Sequence, residues 1–173
     1  MIKNKGIQEY AIEDGKKVDL SKLKFDKIGT KKYSDGRKVM VRACHDIFIE
    51  YKGGILLVKR DDFPAKGELW SIGGGIEKGV FIEESLRKKV KEECNLEIKN
   101  IKFIGNARTL WKTDQEGNNS GVDDIILVYS GKGEGTLKLN ELHKEPLIIT
   151  KKEYPKLRKK LHPFIKYFLD KLI

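Results

Sequence analysis

Two adjacent carboxylates near the middle of the chain, Glu92 and Glu93, have the residue type and spacing best suited to chemistry. They follow a run of glycines at residues 73–75, from which they are separated by the length of one helix. Glycine lets the backbone approach a phosphate closely, because no side chain intervenes and positive φ costs little. Carboxylates hold the hard divalent cations that accompany polyphosphates. The spacing therefore predicts a site for a metal–diphosphate substrate.

The composition predicts one folded domain that suits anionic ligands. The chain has 173 residues, of which 39% are apolar and 36% charged, and its formal net charge is +10. This length suffices for one hydrophobic core. The positive charge suits nucleotides, nucleic acid or an anionic membrane. The lysines are scattered, however, so a solvated surface explains them as well, and nucleic acid is an alternative that the sequence does not favour.

The cysteines and the apolar segments predict a cytoplasmic protein. Cys44 and Cys94 do not form a CxxC pair, so a disulfide framework and a zinc knuckle are not expected. The N-terminal residues contain no apolar segment typical of a signal peptide. No apolar run approaches the roughly 20 residues that a membrane span needs. We therefore expect no membrane partner.

The elements that must position the carboxylates begin after an N-terminal extension, residues 1–36, in which short strands and a turn at residues 34–36 are expected. The main domain is predicted to span residues 37–173. Alternating and buried apolar patterns predict its strands. These strands are expected over residues 38–50, 55–60, 69–72, 97–103, 106–112, 124–130 and 146–150, with a turn at residues 131–135.

Two helical segments complete the predicted fold. Ile82, Leu86 and Val90 recur every four residues, which predicts a helix over residues 82–94 with one face in a core. Asn95 suits the left-handed residue that ends such a helix. The C-terminal residues are expected to be helical and interrupted at Pro163. Strands around these helices indicate an α/β sandwich with a mixed sheet.

Residues 73–96 resemble the box of the Nudix hydrolase family, G-x5-E-x7-R-E-U-x-E-E-x-G-U. Gly74 and the pair formed by Glu92 and Glu93 stand at its glycine and paired carboxylate positions. Val80 and Lys89 depart from the box, since each replaces a glutamate. Lys89 lies one turn before Glu93 on the same face, where its charge disfavours two or three metal ions and leaves one.

Segments around the box are similar to the GDP-mannose mannosyl hydrolase subfamily. They are LLVKRDDFPAKGELW at residues 56–70, Asp46 at the start of DIFIE, and ELH at residues 141–143. The similarity extends over about residues 43–168. It implies a Nudix-type α/β/α sandwich with a catalytic loop–helix–loop.

The resemblance also implies a metal site and roles for particular residues. One Mg²⁺, with Mn²⁺ as an alternative, would be held by the Gly74 carbonyl, Glu93, Glu92 and Glu141. Glu141 enters this set because the subfamily's glutamine ligand falls on Leu142, which cannot coordinate.

The same resemblance assigns the catalytic and substrate-binding roles. His143 would be the general base, while Arg60 and Asp46 would stabilise the leaving diphosphate and the developing sugar cation. Arg60, Gly73, Gly74 and Trp70 would contact the substrate.

Several of these residues have alternative interpretations. Asp123 or Asp124 could be the late metal ligand instead of Glu141. Lys89 could simply form a surface ion pair with Glu93. Trp70 fits a core at least as well as a stacking platform for a base.

The sequence thus predicts a Mg²⁺-dependent Nudix hydrolase of nucleoside diphosphate derivatives, with a nucleotide sugar cleaved at its sugar C–O bond. Cleavage of a P–O bond by a Nudix pyrophosphatase is the enzymatic alternative. A catalytically silent Nudix fold that binds a nucleotide or RNA is the non-enzymatic alternative. Because family members often dimerise, the resemblance also suggests a homodimer.

Overall fold

The computed structural model of the protein describes residues 7–23 and 29–173. The remaining residues of the predicted N-terminal extension, 1–6 and 24–28, lie outside the described residues. A small hairpin, in which β1 (Ile12–Glu13) pairs antiparallel with β2 (Lys16–Lys17), agrees with the short strands expected in the extension.

A helix that the sequence did not predict, α1 (Thr30–Val39), follows the hairpin and crosses the predicted boundary between the extension and the main domain. The turn expected at residues 34–36 is therefore wrong, and the next strand begins later than predicted, at Arg42. The local turn signal is overridden because Arg37, on the inner face of α1, is buried in a contact with the sheet. Such tertiary contacts supply most helix stability in proteins.

Seven further strands form one mixed sheet. They are β3 (Arg42–Tyr51), β4 (Gly54–Arg60), β5 (Leu69–Trp70), β6 (Ile72–Gly75), β7 (Glu97–Trp111), β8 (Val122–Glu134) and β9 (His143–Ile149). The order along the sheet is β5-β4-β3-β8-β7, while β6 pairs with β3 and β9 pairs with β4. Among the described strands, β3 and β8 alone run parallel to each other.

The parallel pairing of β3 with β8 determines where the site lies. Arg42 is opposite Asp124, so both strands start at the same end of the sheet. On the other side of β3, the glycine run in β6 pairs with the same segment, and Asp46 is opposite Gly73. The glycine run and Asp46, both of which the sequence singled out, are therefore neighbours in the sheet.

The helices after the glycine run follow the sequence prediction. The helix α2 spans Ile82–Cys94 and ends at Asn95, which has the left-handed φ of 58°. The C-terminal segment divides into α3 (Tyr154–Leu157) and, after a short 3-10 turn, α4 (Pro163–Leu172). Within the described parts of the chain, no helix is long and apolar enough to span a membrane.

Two hydrophobic cores form because α2 and α4 cover different faces of the sheet. Ile47 packs in the cluster that contains Leu86 of α2, whereas its neighbour Phe48 packs in the cluster that contains Phe168 of α4. This alternation is what a strand with both faces buried requires. The predicted α/β/α sandwich with a mixed sheet is confirmed.

Two further expectations are wrong, and glycines explain both. The two strands predicted at residues 97–103 and 106–112 are one strand, β7, in which a register shift precedes Gly105, whose φ is 144°. The turn predicted at residues 131–135 is wrong, because β8 continues through residues 131–134. Its Gly131 and Gly133 let neighbours pack close, since an added Cβ would lie 2.9 Å from Ile98 Cγ2 and 2.6 Å from Ile49 Cγ2, respectively.

Candidate active site

A cavity of about 200 Å³ opens where β3 and β8 begin and β6 ends, beside the C-terminal half of α2. Its walls carry four cationic side chains and four carboxylates. These are Arg37, Arg42, Arg60 and Lys89, and Asp46, Asp62, Glu93 and Asp124. Such a density of opposite charges in a concave site is typical of binding or catalysis rather than of structure alone.

Asp46 is held rigidly in the wall of this cavity. Its Oδ2 accepts hydrogen bonds from Trp70 Nε1 and Ser71 Oγ, both at 2.9 Å. Burial raises the pKa of the carboxyl to about 6, although these donors and Arg60 oppose the shift. A Cβ on Gly73 would lie 2.3 Å from Asp46 Oδ1, so only glycine fits beside the carboxylate.

Glu93 is the buried carboxylate of α2. Its Oε1 lies 3.7 Å from Lys89 Nζ, one helical turn earlier. Its Oε2 has no hydrogen-bond donor among the described residues, which is costly for a buried carboxylate oxygen. Burial raises the Glu93 pKa to about 7, whereas the Lys89 charge and a backbone hydrogen bond from Gly73 act in the opposite direction.

His143 faces the same carboxylate. Its Nε2 lies 3.7 Å from Glu93 Oε2, and its Nδ1 lies 2.9 Å from Asn140 Oδ1. Asn140 Oδ1 also accepts the Leu142 N–H at 3.1 Å, which identifies it as the amide oxygen. Since an amide oxygen only accepts, Nδ1 carries the proton and Nε2 presents a lone pair to the site. Burial and the nearby Arg60 lower the His143 pKa, which favours this neutral form.

Arg60 stands opposite His143 in the pairing of β4 with β9. Its Nη2 donates to both carboxylate oxygens of Asp62 at 2.9 Å. The Arg60 Nε is buried without an acceptor among the described residues. Asp46, Arg60 and Glu93 thus line the cavity, whereas His143 is not among its lining residues and approaches the site through Glu93.

Other candidates from the sequence are placed differently. Glu92 and Glu141 are exposed and are not among the residues that line the cavity. Gly74 lines the cavity with φ at 150°. Trp70 is buried, stacks on Phe164 with ring centroids 5.0 Å apart, and also borders the cavity.

The alternative late ligands, Asp123 and Asp124, are both engaged by arginines. Asp123 accepts hydrogen bonds from Arg108 at 2.9 and 2.6 Å. Asp124 accepts from Arg37 at 2.7 and 3.2 Å and is buried. Arg37 therefore occupies the lone pairs with which Asp124 would bind a metal ion.

Sequence reasoning missed His45, Arg37 and Arg42. His45 is fully buried, and its Nε2 lies 2.7 Å from Ser85 Oγ, which also accepts the N–H of Glu77. It thereby links β3, the segment after the glycine run and α2, and burial lowers its pKa to about 4. The period of two in β3 could have placed His45 on the α2 face, whereas nothing local predicts the contacts of Arg37.

The donors of the cavity fit one divalent cation better than a cluster. Within the described ranges, no group of three or more His, Cys, Asp or Glu side chains converges. Glu93 Oε2 and His143 Nε2 are the two free acceptors that face each other, and the Lys89 ammonium stands beside them. Mg²⁺ commonly takes one or two carboxylates and completes its shell with water and substrate phosphate oxygens. Glu93 fits that kind of site.

A mixed sheet between two helical layers, with a glycine run leading into a helix that ends in a buried glutamate, defines a Nudix hydrolase. The sequence profile of the NUDIX domain matches residues 41–172, and the chain belongs to this family. Nudix hydrolases act on small nucleoside diphosphate derivatives and generally use divalent metal ions.

Two named proteins are similar to the chain at low sequence identity. The chain is 26% identical to the low-salt glycan biosynthesis protein Agl8 of Haloferax volcanii over 128 residues, which cover 73% of this chain and 79% of that protein. It is 31% identical to the ADP-ribose pyrophosphatase of Methanocaldococcus jannaschii over 112 residues, or 65% of this chain and 63% of that protein.

Solved structures share the fold. The MutT NUDIX hydrolase of Burkholderia pseudomallei superposes with a TM-score of 0.56 at 18% identity, over 66% of this chain and 86% of that one. The MutT protein of Methanosarcina mazei gives a TM-score of 0.58 at 18% identity, over 76% and 91% of the two chains.

Proposed function

We propose that this Nudix hydrolase cleaves a nucleotide sugar at the bond between the anomeric carbon and the diphosphate oxygen. The observation that carries the proposal is the tautomer of His143, whose proton is fixed on Nδ1 by Asn140 while Nε2 is free to accept a proton. Its lowered pKa keeps the imidazole neutral at physiological pH. A neutral, oriented imidazole is a suitable general base for activating water.

In the proposed reaction, water adds to the anomeric carbon as its proton passes to His143 Nε2. The C–O bond breaks, and its electron pair leaves with the nucleoside diphosphate. Asp46 stabilises the positive charge that develops on the sugar, as a carboxylate does in glycoside hydrolysis. Arg60 stabilises the departing diphosphate, for which its planar guanidinium is suited.

In this proposal Glu93 would hold one Mg²⁺ or Mn²⁺. The unpaired Oε2 of Glu93 supports this assignment. When bound, the cation neutralises charge on the leaving diphosphate. Gly74 stays a predicted ligand, whereas the exposed positions of Glu92 and Glu141 favour them less.

Cleavage of a P–O bond is the second candidate. The ADP-ribose pyrophosphatase named above is a relative of 31% identity, and its name favours hydrolysis within a diphosphate. The glycan-biosynthesis name of the other relative instead favours a sugar nucleotide. Lys89 weighs against the pyrophosphatase, because it stands where the Nudix box has a glutamate.

Hydrolysis in ¹⁸O-labelled water separates the two reactions. A panel of nucleotide sugars and ADP-ribose would be incubated with the enzyme and Mg²⁺, and products analysed by mass spectrometry. We expect the label in the free sugar and an unlabelled nucleoside diphosphate. Label on phosphate would establish P–O cleavage instead. The His143→Ala variant should lose turnover, while the exposed Lys138→Ala variant should keep it; no turnover of any compound would favour a nucleotide-binding or RNA-binding role.

Location in the cytoplasm and assembly as a homodimer stay predictions of the same proposal. The two cysteines are free and buried, in keeping with a reducing compartment. Gel filtration with light scattering would test the dimer.

A further inference from the structure

Two cations of the cavity, Arg42 and Lys89, differ from the other two in what they contact. Arg37 and Arg60 donate hydrogen bonds to Asp124 and Asp62 at 2.7–3.2 Å. Within the described residues, the Arg42 guanidinium forms no ion pair with a carboxylate, and it lies 5.5 Å from the centroid of the Tyr33 ring.

The carboxylate beside Lys89 is too far away for a strong hydrogen bond. Its Nζ lies 3.7 Å from Glu93 Oε1, beyond the 2.7–2.9 Å of a strong charge-assisted hydrogen bond. The charges of Lys89 and Arg42 are therefore the least neutralised of the four in the cavity.

Both side chains converge on Gly74. A Cβ built on Gly74 would lie 3.9 Å from Arg42 Nη2 and 3.9 Å from Lys89 Cε. The same guanidinium covers Gly75, where a Cβ would lie 2.2 Å from Nη2 and so could not be accommodated. One point above the glycine run is thus flanked by an arginine and a lysine.

We propose that Arg42 and Lys89 form a clamp whose guanidinium and ammonium groups bind the diphosphate of the substrate directly, beside the cation proposed at Glu93 and independently of it. The inference rests on the proposed function for the identity of its ligand. Guanidinium and ammonium groups bind phosphate oxygens by charge-assisted hydrogen bonds, and the bare backbone at Gly74 allows close approach. Lys89 thus adds a positive charge where the Nudix box has a metal-binding glutamate.

The helix α1, which begins in the predicted N-terminal extension, helps to build this clamp. Tyr33 on α1 contacts the Arg42 guanidinium, and Arg37 on the same helix fixes α1 to β8 through Asp124. Both α1 residues precede the region that matches the NUDIX domain, residues 41–172. The helix α1 is therefore a positioning element of the diphosphate site.

Binding without metal tests the clamp. Inorganic pyrophosphate and ADP would be titrated into the protein by calorimetry in excess EDTA. We expect both to bind, and Arg42→Gln and Lys89→Gln each to raise Kd about tenfold to a hundredfold, the loss of one hydrogen bond to a charged group. Lys88→Gln is the matched control, because Lys88 is exposed and donates to Glu77 at 2.7 Å; its Kd should change by less than about twofold.

A second variant makes the test independent of any loss of folding. Lys89→Glu restores a carboxylate, so it should weaken pyrophosphate binding in EDTA and strengthen Mn²⁺ binding, measured by electron paramagnetic resonance. Pyrophosphate that binds only when Mg²⁺ is present, or binds all variants equally, would overturn the clamp even if C–O cleavage is observed. Conversely, metal-free binding with P–O cleavage would support the clamp and reject the proposed reaction.

Discussion

Arg37 donates two hydrogen bonds to the carboxylate of Asp124, from Nη1 to Oδ1 at 2.7 Å and from Nη2 to Oδ2 at 3.2 Å. Both side chains are buried, and 87 residues separate them along the chain. The pair joins the N-terminal helix α1 to the start of β8 and forms part of the cavity wall. The pair therefore connects α1 directly to the site, although the two residues are far apart in the sequence.

Removing one member of this pair should destabilise the protein strongly. Arg37→Met leaves the Asp124 carboxylate buried without its cation, and we expect a loss of about 3–5 kcal/mol in the free energy of unfolding. Urea denaturation would measure it. Lys38→Met, next to it on α1 but exposed, should change stability by less than about 0.5 kcal/mol. Equal effects of the two substitutions would contradict a dominant role for the ion pair.

The glycine beside Asp46 should not tolerate a methyl group. Gly73→Ala would place a Cβ 2.3 Å from Asp46 Oδ1 and 2.4 Å from the His45 carbonyl oxygen, so β6 must shift. We expect a cost of about 2 kcal/mol and a loss of activity, measured by thermal unfolding and turnover. Gly36→Ala, inside α1 with open space around it, should instead stabilise by up to about 1 kcal/mol.

The buried His45 should make stability depend on pH in the acid range. Its pKa is lowered from 6.5 to about 4 in the folded protein. Between these values the unfolded chain binds a proton that the native state does not, so stability rises with pH. We expect wild type to gain up to about 3 kcal/mol over His45→Gln as the pH rises through this range.

Other buried groups make the free energy of unfolding depend on pH in the opposite direction, so the effect of His45 is measured as the difference between wild type and variant. Burial raises the pKa values of Asp46 and Glu93, so their contributions fall as the pH rises. These contributions are common to wild type and variant and cancel when the two urea curves are subtracted. A difference that is flat between pH 4 and 6.5 would show that His45 titrates normally.

Asn140 should act on turnover through His143. Asn140→Ala removes the acceptor that holds the His143 proton on Nδ1, so the Nε2 lone pair is no longer fixed toward the site. We expect kcat to fall about 100-fold, with KM changed little, because a misplaced catalytic group affects the chemical step. Steady-state kinetics would check this against Lys138→Ala. A rise in KM with kcat unchanged would instead indicate a contact of Asn140 with the substrate.

The parts of the fold that the sequence predicted are those written in local patterns. The stripe of Ile82, Leu86 and Val90 predicted α2, and Asn95 marked its end, because helix periodicity and capping depend on residues a few positions apart. Glycines were harder to interpret. Gly131 and Gly133 resembled a turn, yet they serve side-chain packing across β8, which only the assembled sheet reveals.

The sequence likewise predicted only those parts of the candidate site that local motifs mark. Asp46, Arg60, Glu93 and His143 were found through motifs around them, and they lie together in the structure. The contribution of α1 to the site was missed because α1 contains a turn-like segment and is stabilised by a contact with Asp124, which lies far along the chain. Long-range pairing of this kind leaves no signal in either local sequence.

The pairing of β4 with β9 has a consequence for synthesis on the ribosome. Arg60 is translated early, whereas His143, its partner across the sheet, lies 83 residues later in the chain. Likewise β3 must wait for β8, so both central pairings are non-local and slow to form. The nascent chain therefore has no substrate pocket until most of it has been translated, and we expect prematurely terminated products to be inert toward nucleotides.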